Sequence, residues 1–325
     1  MHEILCLDKL NKKVYETDIS KVSELLADDN NVLWINFEIL PDVWPDKEEI
    51  HLLKDILNIH KLSIEDCVAE MHHPKIEEFR NYLLLVMYGI KHNSRLKFHD
   101  IELILGKNYV ISYIHEKVEE VENVKNNFKA CENSTFTSSL DIFYTIIDQL
   151  IDNYIPAIDN FDILLDKIEE NLFKDPSNPK CLKQLNCIRA SINTVRQIIV
   201  LENEIFYNIV KKHYTLISEE KLMYFRDIYD HLEKNLHKIE SLKESISSLL
   251  GIQMNINTQN LNEIMKFLTV ISTILLPANL IAGIFGMNFE KIPLLHSDFG
   301  LILAISSMII IGLIMIYYFK QKKWL

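Results

Sequence analysis

The sequence predicts an α+β fold: a water-soluble part with a mixed sheet and packed helices, then a long helical stalk and two transmembrane helices. Three observations support this prediction. Strand and helix signals alternate in the first third of the chain. No glycine then lies between Gly106 and Gly251, which favours long helices. Two apolar runs of membrane length follow, and the first, at residues 267–286, contains no charged residue.

The first part of the chain carries the sheet signals. Helices are predicted at residues 46–57, with Asp46 as the N-cap, and at residues 64–71, which end before Pro74. Strands are predicted where β-branched and aromatic residues cluster, at residues 32–37, 81–89, 98–105 and 109–114. This soluble domain is expected to span residues 1–218.

A helical hairpin at about residues 137–210 is predicted to form the last part of the soluble domain. Its arms are residues 137–173, with a kink or break at Pro156, and residues 180–210. An acidic band along the first arm is interpreted either as a solvated face or as a surface that attracts cations, and comprises Asp148, Asp152, Asp159, Asp162, Asp166 and Glu169.

One long helix is predicted from about residue 219 to residue 286. Residues 219–265 form its stalk portion and residues 266–288 its membrane portion, the first transmembrane helix. Small, polar and apolar residues recur along this helix at alternating spacings of three and four. They predict one seam, which we interpret either as a pore wall or as ordinary helix packing, formed by Asn262, Met265, Thr269, Ser272, Leu276, Asn279 and Gly283.

The flanking charges predict the topology of the membrane hairpin. A loop at residues 289–299 joins the first span to a second transmembrane helix at residues 300–320, and a basic tail at residues 321–325 follows. Lys266 precedes the first span and three lysines lie at or just after the end of the second, whereas the loop has only Lys291, which predicts that both termini lie in the cytoplasm. We expect the hairpin to lie in the cell (inner) membrane.

Composition and motifs narrow the function. A net charge of −12 argues against a nucleic-acid partner. The five cysteines show neither zinc nor disulfide spacing and are interpreted as reduced thiols. The sequence contains neither a phosphate-binding loop nor a pair of histidines with the helical spacing of a zinc site, so we expect that the protein is not an enzyme.

The segment Gly286-Met287-Asn288 ends the first span and precedes the second, and this arrangement resembles the CorA family of magnesium and cobalt channels. The resemblance extends to residues 262–266, 225–231, 63–67 and 73–77. It implies a homopentamer in membrane lipid that conducts Mg²⁺ and also Co²⁺, with Ni²⁺ as a further candidate ion. Its selectivity signature would be Gly286, Met287 and Asn288.

Amide oxygens suit a hydrated Mg²⁺ ion because they accept hydrogen bonds from its waters without adding a charge that would trap the ion. We therefore expect a ring of Asn288 at the pore entrance, with Glu290 just outside it. Asn279 and Asn262 are candidate inner polar rings. Met265 and Leu276 are candidate apolar constrictions that close by dewetting.

The resemblance also implies regulation by cytosolic Mg²⁺ bound between soluble domains. Asp227 matches one side of such a site and Asp230 is a second candidate, although both equally fit an ordinary charged helix surface. The opposing segment, residues 89–93, contains no carboxylate. Two rival functions stay open: a transporter of zinc or another transition metal with the same architecture, and a membrane-anchored coiled-coil scaffold.

Overall fold

The computed structural model describes residues 2–39, 43–69, 73–92, 96–130, 136–175, 178–287 and 299–324. The chain forms two compact units. The first comprises Met1–Glu170 and Lys180–Ser247, and the second comprises Asn171–Pro179 and Ser248–Leu325.

A mixed seven-stranded sheet forms the centre of the first unit, as the sequence predicts. Its strands lie in the order β2-β1-β3-β7-β6-β5-β4, and β3 pairs with β7 in parallel whereas the other neighbours pair antiparallel. The strands are β1 His2–Asp8, β2 Lys13–Thr17, β3 Asn31–Glu38, β4 Lys75–Glu78, β5 Tyr82–His92, β6 Leu96–Gly106 and β7 Tyr109–Ile114.

The four predicted strands correspond to β3, β5, β6 and β7, whereas β1, β2 and β4 add strands that the sequence patterns did not predict. β2 and β4 are short edge strands that carry several charged residues, a composition that protects a sheet edge but weakens the strand signal.

Helices cover both faces of the sheet. One face packs against α1 Ile19–Leu26, α2 Lys47–His51 and α3 Lys61–Val68, and Asp46 caps α2 as predicted. A π-helical turn at Leu52–Ile56 continues α2. On the other face, α4 Glu119–Ala130 places Phe128 against Trp34, with ring centroids 5.6 Å apart.

The helical hairpin is interrupted three residues earlier than predicted. The first arm consists of two helices, α5 Ser139–Asp152 and α6 Tyr154–Lys174. Asn153 is the C-cap of α5, and α6 begins two residues before Pro156. Proline lacks an N–H group and its ring clashes with the carbonyl four residues before it, so the first turn of a helix accommodates it best. The break therefore falls ahead of the proline, and α7 Pro179–Lys211 forms the returning arm.

Buried side chains of the hairpin complete the edge of β5. β4 pairs with β5 only as far as Val86, which leaves the backbone of Tyr88 without a strand partner on that side. The Tyr88 N–H donates to the Glu202 carboxyl group at 2.9 Å, and the Tyr154 hydroxyl donates to the Tyr88 carbonyl at 2.7 Å. Burial raises the pKa of Glu202 to about 8, so its carboxyl group stays largely protonated near neutral pH.

One helix runs without interruption from the soluble unit into the apolar region, as predicted. A 3₁₀ turn at Glu219–Lys221 leads into α8 Leu222–Phe285, which has 64 residues and contains Pro277. The last helix, α9, comprises Gly300–Gln321.

Candidate ion pathway and metal cluster

Within the second unit, the predicted seam lies on the side of α8 that faces away from α9. Val270 is buried on the opposite side of α8. Ile274 lies on that side too, next to Gly312 of α9: a Cβ atom added to Gly312 would be 4.0 Å from the Cγ2 atom of Ile274. The seam residues are all exposed in the single chain, and they are Asn262, Met265, Thr269, Ser272, Leu276, Asn279 and Gly283.

Backbone carbonyl groups contribute to the polarity of this helix. The hydroxyl of Thr269 donates to the Met265 carbonyl at 2.7 Å, and the hydroxyl of Thr273 donates to the Thr269 carbonyl at 2.6 Å. Pro277 has no N–H group, so the Thr273 carbonyl lacks its usual partner within the helix. The membrane portion of α8 therefore carries polar groups at several depths.

The predicted selectivity signature begins where α8 ends. The Gly286 N–H donates to the Ala282 carbonyl at 2.9 Å, and the Met287 N–H donates to the Ile284 carbonyl at 3.3 Å. The spacing shortens from four residues to three, as is common in the last turn of a helix. Asn288 and Glu290 lie outside the described residues.

Among the residues that the structure describes, two helices are long and apolar enough to cross a membrane. In the most apolar 18-residue stretch of the helix at Glu219–Phe285, only 6% of the residues are buried, and in that of α9 only 11% are buried. Helices in the core of a soluble protein would be mostly buried, and both helices lie far from the N-terminus, unlike a signal sequence.

A cluster of metal-ligating side chains joins α5 to the beginning of α8. Ligand atoms of Asp148, Asp152 and His231 all lie within 4.8 Å of one another. His231 lies between two carboxylates, with its Nδ1 atom 3.6 Å from Asp152 and its Nε2 atom 3.9 Å from Asp227. Carboxylate oxygens and an imidazole nitrogen are suitable ligands for a divalent cation.

The charges in this cluster are poorly compensated by the protein alone. Burial raises the pKa of Asp148, and the nearby Asp152 carboxylate and, more weakly, Asp227 raise it further. The Tyr144 hydroxyl donates to Asp148 at 3.2 Å, which offsets part of this effect. A bound dication would relieve the repulsion among the carboxylates, so the geometry and the electrostatics both suit a cation.

Of the two predicted regulatory residues, Asp227 lies beside this cluster and Asp230 does not belong to it. Asp148 and Asp152 came from the predicted acidic band, in which Asp159 instead pairs with Lys238. His231 was not among the candidate residues that the sequence patterns indicated. The signal that would have found it is the spacing of four residues that separates Asp148 from Asp152 and Asp227 from His231, because such pairs share one face of a helix.

The fold and the exposed apolar helices define a membrane protein with a large water-soluble unit. The family model described as CorA-like Mg²⁺ transporter protein matches residues 29–321, and the chain belongs to this family.

Two relatives and one solved structure illustrate the similarity. The chain is 30% identical over 316 residues to the cobalt/magnesium transport protein CorA of Thermotoga maritima, covering 95% of this chain and 88% of that protein. It is 28% identical to the putative metal ion transporter YfjQ of Bacillus subtilis, covering 90% and 89%. The complete structure of the CorA magnesium transporter from Methanocaldococcus jannaschii matches with a TM-score of 0.84 at 18% identity, covering 100% and 99%.

Proposed function

We propose that this protein carries Mg²⁺, and also Co²⁺, across the cell membrane through a path shared by several copies of α8. Membership of the CorA-like Mg²⁺ transporter family carries this proposal. The exposed seam on α8 supports it, because polar residues at membrane depth are costly unless they face a partner or a water-filled path. The resemblance implies five copies, with both termini in the cytoplasm.

The proposed mechanism selects the ion with its water shell. Mg²⁺ loses its waters reluctantly, so a neutral amide ring that accepts hydrogen bonds from those waters avoids the cost of dehydration. Asn288 supplies this ring at the outer end of α8, and Asn279 and Asn262 supply polar positions further in. Met265 and Leu276 are apolar positions between them, where a narrow path would lose its water and close.

The transport proposal is tested with the purified full-length protein in liposomes. We expect Mg²⁺ to enter at a rate that increases with an inside-negative membrane potential, and Co²⁺ to compete with it. Transport of Zn²⁺ in preference to both would favour the rival metal specificity. Liposomes that take up no divalent cation at all would favour the scaffold and contradict the proposal.

The cluster of Asp148, Asp152, Asp227 and His231 is the proposed sensor of cytosolic Mg²⁺. It includes the first turns of α8, the same helix that carries the seam, so an ion bound there would favour one position of that helix. Because an ion shifts an equilibrium only through its different affinity for the two states, removing these ligands should remove the response to Mg²⁺.

We expect the double variant Asp152→Asn, Asp227→Asn to lose protection from proteolysis by Mg²⁺. In the unchanged protein, millimolar Mg²⁺ should slow cleavage of the soluble unit several-fold, because a ligand that binds only the closed state stabilises it. Asp162→Asn, Asp166→Asn is the matched control, since both residues are exposed on α6 and the change in charge is the same.

If Mg²⁺ protects the variant as well as the unchanged protein, these carboxylates are not the sensor. If Mg²⁺ protects neither, the protein is not gated by cytosolic Mg²⁺ at all.

A further inference from the structure

A second group of metal-ligating side chains lies inside the sheet, away from α5 and α8. Asp100 and Glu102 are on β6, and His115 directly follows β7. Ligand atoms of these three residues all lie within 4.8 Å of one another. The antiparallel register pairs Ile101 with Ile114, so the next position along the ladder places His115 beside Asp100.

The three side chains are buried in apolar surroundings. Glu102 is 0% exposed, and Asp100 and His115 are 6% and 8% exposed. The cross-strand neighbours of Glu102 are Val86 and Tyr113, and both belong to the hydrophobic core. A carboxyl group in the position of Glu102 costs free energy in its charged form unless a cation accompanies it.

Within the described part of the chain, neither carboxylate oxygen of Glu102 has a hydrogen-bond partner, and the Nε2 atom of His115 has none either. Lys75 of the edge strand β4 is paired with Asp66 at 2.7 Å and with Glu77 at 3.1 Å. Burial raises the pKa of Glu102 well above its ordinary value, and the nearby Asp100 carboxylate raises it further. Among the described residues, the Glu102 oxygens and the His115 Nε2 atom therefore have no protein hydrogen-bond partner, although they lie close to one another.

The orientation of His115 is the one that metal-binding histidines adopt. Its Nδ1 atom lies 3.1 Å from the Ile39 carbonyl oxygen, so an Nδ1–H group donates there and Nε2 keeps its lone pair. The ligand atoms lie within 4.8 Å of one another, a range that includes the span of two metal–ligand bonds of about 2.1 Å each.

We propose that Asp100, Glu102 and His115 bind a first-row transition-metal dication, of which Co²⁺ and Zn²⁺ are the best examples. Mg²⁺ keeps several of its waters, and the side chains of this trio are at most 8% exposed, so the buried imidazole and carboxylates favour an ion that binds without its water shell. In the cluster beside α8, by contrast, Asp152 and Asp227 are more than half exposed and leave a hydrated ion accessible. This inference is independent of transport, because it concerns an ion held within the sheet of the soluble unit.

The experiment is a Co²⁺ titration of the purified full-length protein after chelator treatment, in excess Mg²⁺ to occupy oxygen-rich sites. Co²⁺ bound per chain is measured by equilibrium dialysis, and the visible absorption bands of Co²⁺ report nitrogen ligation. We expect at least one Co²⁺ per chain that Mg²⁺ does not displace, and an upward shift of the thermal midpoint with Co²⁺. His115→Gln should weaken this binding at least tenfold and remove the shift.

Two further variants make the result decisive. Glu102→Gln removes a buried carboxyl group with little change in side-chain volume, so this variant should fold. It should bind Co²⁺ at least tenfold more weakly than the unchanged protein. His99→Gln is the control, because His99 is also a buried histidine, lies on β6 and does not belong to the trio. The proposal is overturned if the unchanged protein holds no Co²⁺ in excess Mg²⁺, or if His115→Gln and Glu102→Gln bind it as tightly as His99→Gln.

Discussion

Replacement of Asn288 by alanine is expected to reduce Mg²⁺ uptake at least tenfold without changing assembly. Each amide that accepts a hydrogen bond from a hydrated ion contributes roughly 0.5–1.5 kcal/mol, and a ring of several copies loses all of these contacts together. A loss of about 1.4 kcal/mol already corresponds to a factor of ten. The measurement is Mg²⁺ flux into liposomes that contain equal amounts of each protein.

Two companion measurements make this result specific. Asn288→Gln keeps the amide and should retain more flux than Asn288→Ala, whereas Asn288→Asp adds a ring of charge that binds the ion too tightly and slows its release. The size of each assembly is compared in the same detergent. Unchanged flux in Asn288→Ala would remove this residue from the selectivity site and favour the scaffold function.

The second large effect is expected at Glu202, where glutamine should remove this residue's share of the fall in stability with rising pH. The pKa of Glu202 is about 8 in the folded protein, against an ordinary value of 4.5. Between these values the folded state holds a proton that the unfolded state has released. Stability is therefore greatest below the lower value and falls as the pH rises towards the higher one, by up to about 1.4 kcal/mol per pH unit.

Glutamine suits this position because it resembles the protonated acid. Its carbonyl oxygen accepts from the Tyr88 N–H, and its amide group donates to the Tyr154 hydroxyl, which lies 2.8 Å from the present carboxyl group. At pH 8 the variant should be more stable by on the order of 3 kcal/mol, since it avoids burying a charge. The measurement is the thermal unfolding midpoint between about pH 5 and pH 8.

Glu204→Gln is the matched control, because Glu204 is exposed on the same helix. Its pH profile should follow that of the unchanged protein. Parallel profiles for Glu202→Gln and the unchanged protein would show that the buried carboxyl group does not govern the pH dependence.

The long-range periodic features of this chain were predictable from the sequence. The absence of glycine between Gly106 and Gly251 and the apolar run at residues 267–286 predict the hairpin and α8, because both patterns extend over many turns. The interruption before α6 was misplaced, because a proline is compatible with the first turn of a helix and so does not mark the break itself.

The candidate sites were less predictable because they combine residues that are far apart in the chain. Asp148 and Asp152 lie near His231 only because α5 packs against the first part of α8. Similarly, Asp100 and Glu102 meet His115 through strand register. An acidic residue in an otherwise apolar strand, such as Glu102 among Ile101 and Leu103, was a usable local signal. The role of Asn288 depends on the resemblance and stays a prediction.

The most direct test of the shared path is to count copies in lipid nanodiscs and crosslink cysteines on α8 in a background without native cysteines. Leu276→Cys lies on the seam, and Ile271→Cys is an exposed control on another side of the helix. We expect an assembly of several copies, five by resemblance, in which Leu276→Cys forms disulfides between chains and Ile271→Cys does not. A monomer in lipid, with α8 surrounded by acyl chains on every side, would contradict it.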